Sequence, residues 1–287
     1  MVTTQVFTER FWITSTSGER ILGDLYWQPT RGTGPMIIML HGFTGFKDWA
    51  FFPYVATEFA IRGACVVTFN FSLSGYIEGS DRVERPELFA RNTIRQEIED
   101  TIAVVTAFAK RTLEAPATWW KRWNKRMFLL GYSRGAGVAL IALRIHPQLP
   151  IERLALWSPV TTFHHYTERQ KKRWRQRGSL EISHTRTSQI LRMNVEYLED
   201  LEANAERYDL RKAIAYLKCP TLVVHGMHDI TVPLRSVQEL VTAAPSELVS
   251  LHVIPHTGHT LGVDHPMRAP SPAVLEALRV TADFFSL

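Results

Sequence analysis

The amino-acid sequence predicts an α/β fold in which a mostly parallel sheet carries helices on both faces. Short runs of consecutive apolar residues, such as 36–40 and 222–224, indicate strands that are covered on both sides. These runs alternate with amphipathic segments of helical length, which implies right-handed crossovers between parallel strands. At 287 residues with 45% hydrophobic content, the chain suits one large domain, and we expect a single domain over residues 1–287.

The predicted elements follow in order along the chain. Residues 5–26 alternate as an antiparallel hairpin that turns near Ser17 and Gly18. Further strands are predicted at 36–40, 64–71, 127–130, 154–157, 221–224 and 248–254. Helices are predicted at 51–62, 94–108, 138–145, 233–244 and 271–285.

The alternation stops over residues 161–212. This segment holds a basic helical stretch, a hairpin at 180–193 and an acidic helix at 195–208. We interpret it as a cap insertion over the ends of the strands, because it is short and returns directly to the sheet. In parallel sheets of this kind, functional residues collect in the loops beyond the carboxyl ends of the strands.

The motif Gly131-Tyr132-Ser133-Arg134-Gly135 occurs between a predicted buried strand and a predicted buried helix. A sharp strand–turn–helix connection lifts the central serine clear of the sheet and points the first amides of the helix at it. The alternative is a turn of small residues without chemistry. The order of strand, motif and helix favours Ser133 as a nucleophile.

A serine nucleophile needs a base, and the base needs an acid that orients it. Asp229 and His259 each lie five residues past a predicted strand, in the chain order serine, acid, histidine. Taken alone, Asp229 would also suit a helix cap and His259 a surface loop. Asp264 and His256 are the alternative acid and base. We predict a triad of Ser133, Asp229 and His259.

Attack on a carbonyl carbon creates an oxyanion, which must be stabilised by hydrogen-bond donors that are already in position. The amide after the nucleophile, that of Arg134, is one candidate, and the amide of Phe43 in the loop after the first central strand is the other. We expect His41, in the same loop, to hold the loop by hydrogen bonds rather than to transfer protons.

These motifs together resemble α/β-hydrolase-fold serine hydrolases, and among them the dienelactone-hydrolase-like and cinnamoyl- or feruloyl-esterase-like branch. The resemblance covers about residues 20 to 285, is weakest in the cap, and is carried by His41-Gly42-Phe43-Thr44-Gly45, Gly131-Tyr132-Ser133-Arg134-Gly135, His225-Gly226-x-x-Asp229 and Gly258-His259-Thr260. It implies the same triad, the oxyanion donors Phe43 and Arg134, and an acyl-enzyme that water opens without a cofactor or a metal.

The substrate is specified less closely. Many relatives read Asp-x-Arg-Gly-x-Gly where this chain has Asn70-Phe71-Ser72-Leu73-Ser74-Gly75, so a substrate cannot be carried over through this loop. Four aromatic residues in and near the cap are candidates for a substrate pocket, with packing inside the cap as the alternative: Trp157, Phe163, Tyr166 and Tyr197. A small-molecule carboxylic ester is the expected substrate. The same triad would serve a peptidase or a thioesterase, and a binding protein without catalysis is a further alternative.

The composition and charge distribution of the chain argue against several other classes of protein. The formal charge of +5 is uneven, with basic clusters at 119–126 and 169–177, and solvated faces explain these better than nucleic-acid or membrane binding because neither carries a binding motif. No signal peptide or membrane-length apolar run is visible, and Cys65 and Cys219 suit buried thiols. We therefore expect a cytoplasmic enzyme without nucleic-acid or stable membrane association. The oligomeric state stays open, with a homodimer as one alternative.

Overall fold

The computed structural model of the protein describes residues 5–184 and 186–287. Its strands are β1 (Phe7–Thr14), β2 (Arg20–Trp27), β3 (Gly34–Leu40), β4 (Cys65–Asn70), β5 (Trp123–Tyr132), β6 (Arg153–Trp157), β7 (Ser179–His184), β8 (Gln189–Asn194), β9 (Thr221–Gly226) and β10 (Val249–Ile254). Its helices are α1 (Phe52–Ile61), α2 (Pro86–Arg91), α3 (Ile94–Lys110), α4 (Ala117–Arg122), α5 (Arg134–Ile145), α6 (Glu168–Arg177), α7 (Val195–Ala203), α8 (Leu210–Ala215), α9 (Leu234–Val241) and α10 (Pro272–Phe285).

Eight strands form one sheet in the order β1-β2-β4-β3-β5-β6-β9-β10. The pairs β1–β2 and β2–β4 are antiparallel, and every later pair is parallel. The predicted fold class, a mostly parallel sheet with helices, is therefore confirmed. The parallel strands end at one edge of the sheet, so the loops after β3, β5, β9 and β10 meet there.

The central strands are covered on both faces. All seven residues of β3 are buried, and its side chains divide between two separate apolar clusters. Ile38 packs in the cluster that includes residues of α3 and α5, whereas Ile37 packs in the cluster that includes residues of α1 and α10. This two-sided burial explains why these strands read as continuous apolar runs in the sequence.

Local sequence signals fix the ends of several helices. The side chains of Thr93 and Ser271 accept hydrogen bonds from the third following amide and so cap α3 and α10. Thr167 and Gln170 form a reciprocal capping box at the start of α6. Each cap satisfies backbone donors that would otherwise lack partners.

The segment between β6 and β9 contains α6, the β7–β8 hairpin, α7 and α8. The Trp174 side chain is fully buried in this segment, and its indole N–H donates to the Met193 carbonyl at 2.9 Å. Of the two basic clusters, the one at 169–177 forms most of α6 and the one at 119–126 runs through α4 into β5. None of the helices in the described ranges is both long enough and apolar enough to cross a bilayer.

Candidate active site

Ser133 lies at the apex of the turn between β5 and α5. Its backbone has φ 54° and ψ −116°, a conformation that costs a non-glycine residue about 1–3 kcal/mol. The Ser133 amide donates to the Trp157 carbonyl at 2.9 Å, which ties the turn to the neighbouring strand β6. The turn thus holds the hydroxyl at the sheet edge at the expense of local strain.

Two glycines make this turn sterically feasible. A Cβ on Gly131 would lie 2.5 Å from the Ala136 Cα, and a Cβ on Gly135 would lie 2.5 Å from the carbonyl oxygens of Leu40 and His41. Both contacts are to backbone atoms that cannot move aside. The strand and helix backbones therefore approach closely only because these residues lack side chains.

The structure brings Ser133, His259 and Asp229 together. His259 Nε2 lies 2.9 Å from Ser133 Oγ, and His259 Nδ1 lies 2.7 Å from Asp229 Oδ2. Because the ionised carboxylate accepts only, Nδ1 carries the ring proton and Nε2 is free to accept the serine proton. Residues far apart in the sequence thus form one continuous chain of hydrogen bonds.

Asp229 is held in place from its other oxygen. The amides of Thr231 and Val232 both donate to Oδ1 at 2.8 Å, which leaves Oδ2 directed at His259. Burial alone would raise the pKa of Asp229, but the hydrogen bond from His259 and the amide of Val232 outweigh it and hold the pKa below its usual value. The carboxylate stays ionised at neutral pH.

His225 lies behind this carboxylate. Its side chain is fully buried, its Nε2–H donates to the Val232 carbonyl at 2.9 Å, and the same nitrogen lies 3.4 Å from Asp229 Oδ2. Burial lowers the pKa of His225, so the ring is neutral at pH 7. His225 belongs to the motif His225-Gly226-x-x-Asp229, but no role was predicted for it from the sequence.

The alternative acid and base lie elsewhere. Asp264 has an exposed side chain on the wall of the cavity above Ser133, and the acid that contacts His259 is Asp229. His256 packs edge-on against His228, with ring centroids 6.0 Å apart. The geometry favours Asp229 over Asp264 and His259 over His256.

The two residues predicted to supply oxyanion donors contact each other through their side chains. The Arg134 guanidinium lies 3.7 Å from the centroid of the Phe43 ring. Arg134 is also the first residue of α5, so its amide has no acceptor within the helix. The guanidinium Nη1 of Arg134 lies 3.3 Å from Glu97 Oε1, and Asn92 Nδ2 donates to the same oxygen at 2.8 Å. This buried ion pair fixes the cation beneath the Phe43 ring.

His41 holds the same loop from below. Its Nδ1–H donates to the Gly42 carbonyl at 2.9 Å, and its Nε2 accepts from the Phe71 amide. Burial lowers the pKa of His41 to about 4, so the ring is neutral above that pH. These contacts agree with the expected role of His41 in holding the loop.

A cavity of about 510 Å³ opens above Ser133. Its aromatic and apolar wall includes Phe43, Trp49, Tyr132 and Val263, and its polar wall includes His184, Arg186 and His265. The β7–β8 hairpin of the cap contributes His184 and Arg186. This polar wall was not predicted, because no local sequence signal relates a hairpin turn between β6 and β9 to the loops of the sheet.

The four aromatic residues predicted to line a substrate pocket are not on the wall of this cavity. Trp157 is fully buried, and its indole N–H donates to Thr281 Oγ1 at 2.9 Å. Phe163 is buried against Tyr208, and Tyr166 and Tyr197 pack around Trp174. Their positions correspond to the alternative of core and cap packing, so the pocket assignment needs correction in favour of the residues named above.

In residues 5–184 and 186–287, no group of three or more His, Cys, Asp or Glu side chains is placed to hold a metal ion. The thiols of Cys65 and Cys219 are both buried and free.

No protein-family model matches the sequence, and no curated protein is similar to it in sequence. Solved structures of similar shape exist. A putative hydrolase from Agrobacterium vitis S4 superposes with a TM-score of 0.69 at 16% identity, over 98% of this chain and 99% of that one. Est1E from Butyrivibrio proteoclasticus, solved with bound ferulic acid, gives 0.67 at 18% identity over 96% and 97%.

The mouse alpha/beta hydrolase domain-containing protein 10 gives a TM-score of 0.67 at 15% identity, over 97% of this chain and 98% of the mouse chain. The similarity in each case extends over almost the whole length of both proteins. The chain therefore has the α/β-hydrolase fold, as the sequence motifs predicted.

Proposed function

We propose that this α/β-hydrolase-fold protein is a serine hydrolase that cleaves carboxylic esters through an acyl-enzyme intermediate. The observation that carries the proposal is the chain of hydrogen bonds from Ser133 Oγ through His259 to Asp229, with heavy-atom distances of 2.9 and 2.7 Å. The first distance lies in the range required for proton transfer from a nucleophile to a base, and the second is a hydrogen bond that orients that base.

In the proposed first half-reaction, Ser133 Oγ attacks the ester carbonyl carbon while its proton moves to His259 Nε2. The carbonyl oxygen becomes an oxyanion that accepts hydrogen bonds from the amides of Phe43 and Arg134. Collapse of the tetrahedral intermediate breaks the bond to the alkoxide, which takes the proton from His259. Asp229 stabilises the transient imidazolium and keeps Nδ1 protonated.

In the second half-reaction, water attacks the acyl carbon and His259 accepts a proton from it. The tetrahedral intermediate then expels Ser133 Oγ, which regains its proton from His259, and the acid product leaves. Every proton is accounted for by His259 and water, so the proposed reaction uses no cofactor.

An ester is favoured over other acyl substrates because Est1E, a protein of the same fold, was solved with ferulic acid, and another similar structure is described as a cold-adapted esterase. At 16–18% identity this likeness supports the choice without fixing it. The same triad would open a thioester or an amide, and these two substrate classes are the alternatives.

The test combines covalent labelling with a substrate panel. A fluorophosphonate should label the wild-type protein, and 4-nitrophenyl esters of increasing acyl length should be hydrolysed at rates above those of acyl-CoA thioesters and aminoacyl amides. Ser133→Ala should lose labelling and turnover while unfolding at the same temperature as wild type. Wild-type rates in Ser133→Ala would refute the assignment of the nucleophile, and faster cleavage of thioesters or amides would replace the ester class.

A further inference from the structure

Arg186 is the only guanidinium among the residues that line the cavity above Ser133 in the described ranges. Its side chain is 18% exposed and comes from the turn of the β7–β8 hairpin. We propose that Arg186 selects esters that carry a second, anionic group, and that this group is a carboxylate. This inference rests on the proposed esterase function.

The hairpin turn is fixed before any ligand binds. Arg82 donates to the Thr187 carbonyl at 3.2 Å, while Gln189 and Val83 exchange two hydrogen bonds through the Gln189 amide and the Val83 backbone. These contacts dock the hairpin on the loop that precedes α2. The Arg186 backbone is therefore held at the cavity by the fold.

The guanidinium itself is oriented by aromatic groups. Its Nη2 donates to the Tyr76 hydroxyl at 3.2 Å, and its central carbon lies 5.4 Å from the centroid of the Phe46 ring. Burial raises the pKa of Tyr76 to about 12, so the hydroxyl keeps its proton and donates it to the Thr44 carbonyl at 2.7 Å. Arg186 is thereby linked to the loop that also carries Phe43.

One nitrogen of this guanidinium makes no hydrogen bond within the described part of the chain. Nη1 is buried and has no hydrogen-bond partner among the described residues, and a carboxylate oxygen of the exposed Asp81 lies 3.4 Å from it, outside hydrogen-bond geometry. An exposed carboxylate of this kind contributes little because water competes for it. A substrate carboxylate inside the cavity would meet the same cation in a drier setting, where charge-assisted hydrogen bonds are stronger.

His265 supplies a second donor on this wall. Its Nδ1 accepts a hydrogen bond from the Ala50 amide at 2.9 Å, so its ring proton resides on Nε2. Burial and the charge of Arg186 lower the pKa of both His265 and His184, so both rings are neutral at pH 7. His184 differs, because its Nδ1–H is used by Thr187, whose hydroxyl in turn donates to Gln189. Its free Nε2 therefore accepts rather than donates.

The remaining charge on the cavity wall is negative. Asp264 lines the cavity but its side chain is exposed, so solvent screens it more than it screens Arg186. The cavity thus presents an aromatic wall beside Ser133 and a cationic, donor-rich wall from the cap. An ester with an apolar or aromatic body and a distant carboxylate matches both walls.

The test compares matched pairs of esters that differ only in charge. The 4-nitrophenyl monoester of glutarate is paired with its 4-carbamoylbutanoate analogue, which places the charge in the acyl half. The pair 4-acetoxybenzoate and 4-acetoxybenzamide places it in the alcohol half. In one of the two pairs, wild-type kcat/KM should be about 10- to 100-fold higher for the carboxylate, and this ratio should fall as NaCl rises from 20 to 500 mM.

Arg186→Met should lower kcat/KM more for the carboxylate ester than for its neutral partner and so bring that ratio close to one, while Arg186→Lys should restore part of the preference. Arg192→Met is the matched control, since Arg192 lies on the same hairpin, has a 67% exposed side chain and pairs with Glu181. It should keep the wild-type ratio.

A wild-type ratio near one in both pairs would overturn the inference, as would an unchanged ratio in Arg186→Met. Equal losses on charged and neutral esters would assign Arg186 a structural role instead. Should Arg186→Met fail to fold, the salt dependence of the wild-type ratio and the Lys variant decide the question. Turnover of neutral esters with no charge preference would sink this inference alone, whereas absence of turnover on every ester would sink the proposed function with it.

Discussion

The order of residues along the chain is only part of the reason to assign Asp229 as the acid. Its place after a strand end and before His259 in the chain agrees with the triad order, yet Asp264 occupies a comparable loop. The three-dimensional difference is that two backbone amides fix Asp229 Oδ1 and leave Oδ2 for His259, whereas the Asp264 side chain is exposed at the cavity. The sequence alone does not show which carboxylate oxygen of Asp229 accepts hydrogen bonds from backbone amides.

Asp229→Asn should lower kcat by about 10⁴-fold with little change in KM. The amide side chain would present a donor or a neutral acceptor to His259, and the imidazole would lose both its correct tautomer and its stabilising charge. Steady-state kinetics on a 4-nitrophenyl ester measures this. Asp264→Asn is the matched control and should stay within a few-fold of wild type; the reverse ranking of the two variants would move the acid to Asp264.

Arg134 has a second contribution that its motif did not predict. Only its amide was expected to act, but its guanidinium lies under the Phe43 ring and pairs with buried Glu97. The side chain of one proposed oxyanion donor thus positions the loop that carries the other. A contact between a loop residue and the first residue of a helix 91 positions later has no signature in either local sequence.

Arg134→Lys should lower kcat about 3- to 30-fold and change KM less than twofold. Lysine keeps a positive charge for Glu97 but has no planar guanidinium to stack on the Phe43 ring. The Phe43 loop is then held less firmly, and the transition state should lose about 1–2 kcal/mol of stabilisation. Arg95→Lys serves as control, because Arg95 is 57% exposed and pairs with Asp200 away from the cavity. An unchanged kcat in Arg134→Lys would show that the stacking has no positioning role.

At the scale of elements, the strand–turn–helix around Ser133 was predictable because its chemistry is local. Glycines on either side of the serine, an apolar strand before it and an apolar helix after it together specify the turn. The structure adds the steric reason: Gly135 lies directly against the Leu40 and His41 carbonyl oxygens of β3 and its following loop.

Gly135→Ala should therefore destabilise the protein by about 2–4 kcal/mol and reduce ester hydrolysis, because its Cβ would lie 2.5 Å from two backbone oxygens. Gly32→Ala is a matched control in open space, with no atom within 4 Å of the added Cβ. Urea unfolding of both variants measures the difference. Equal stabilities would mean that the strand and helix separate at little cost.

The cap was only partly predictable. The basic helix α6 and the β7–β8 hairpin lie close to the expected ranges, whereas the six-residue helix α8 was not predicted, nor were α2 and α4, which have the same length and lie outside the cap. Helices this short give too few turns for a periodic pattern. The docking of the hairpin on residues 76–83 depends on side-chain hydrogen bonds across more than 100 residues of sequence, so the polar wall with Arg186 could not be foreseen.

At the scale of the whole molecule, the fold followed from the apolar runs because burial on both faces favours apolar residues along most of each central strand. The order of the strands and the meeting of their carboxyl ends then placed the predicted catalytic residues at one edge. The single-domain organisation and the cytoplasmic location stay predictions, and the sequence left the oligomeric state open. The fold itself is confirmed by the sheet topology and by whole-length similarity to α/β-hydrolase structures.

The buried neutral His41 predicts a pH dependence of overall stability. Its pKa falls from 6.5 to about 4 on folding, so below pH 6.5 the unfolded chain binds a proton that the folded protein refuses. Stability from this group is fully present above pH 6.5 and is lost as pH falls toward 4, by on the order of 3 kcal/mol. Urea unfolding between pH 7 and 4.5 measures the slope.

His41→Gln is the comparison for that measurement. Glutamine keeps a polar side chain in the loop but does not titrate, so its unfolding free energy should decline less steeply with falling pH than that of wild type, even if the variant is less stable at pH 7. Parallel curves for the two proteins would contradict a role for His41 in the acid sensitivity of the fold.

The central claim is that His259 activates the hydroxyl of Ser133. Peptide mapping by mass spectrometry after fluorophosphonate treatment tests it most directly. We predict a single phosphonyl adduct on the peptide containing Ser133, which forms far more slowly in His259→Ala. An adduct on a different residue, or equal labelling rates with and without the imidazole, would contradict the account.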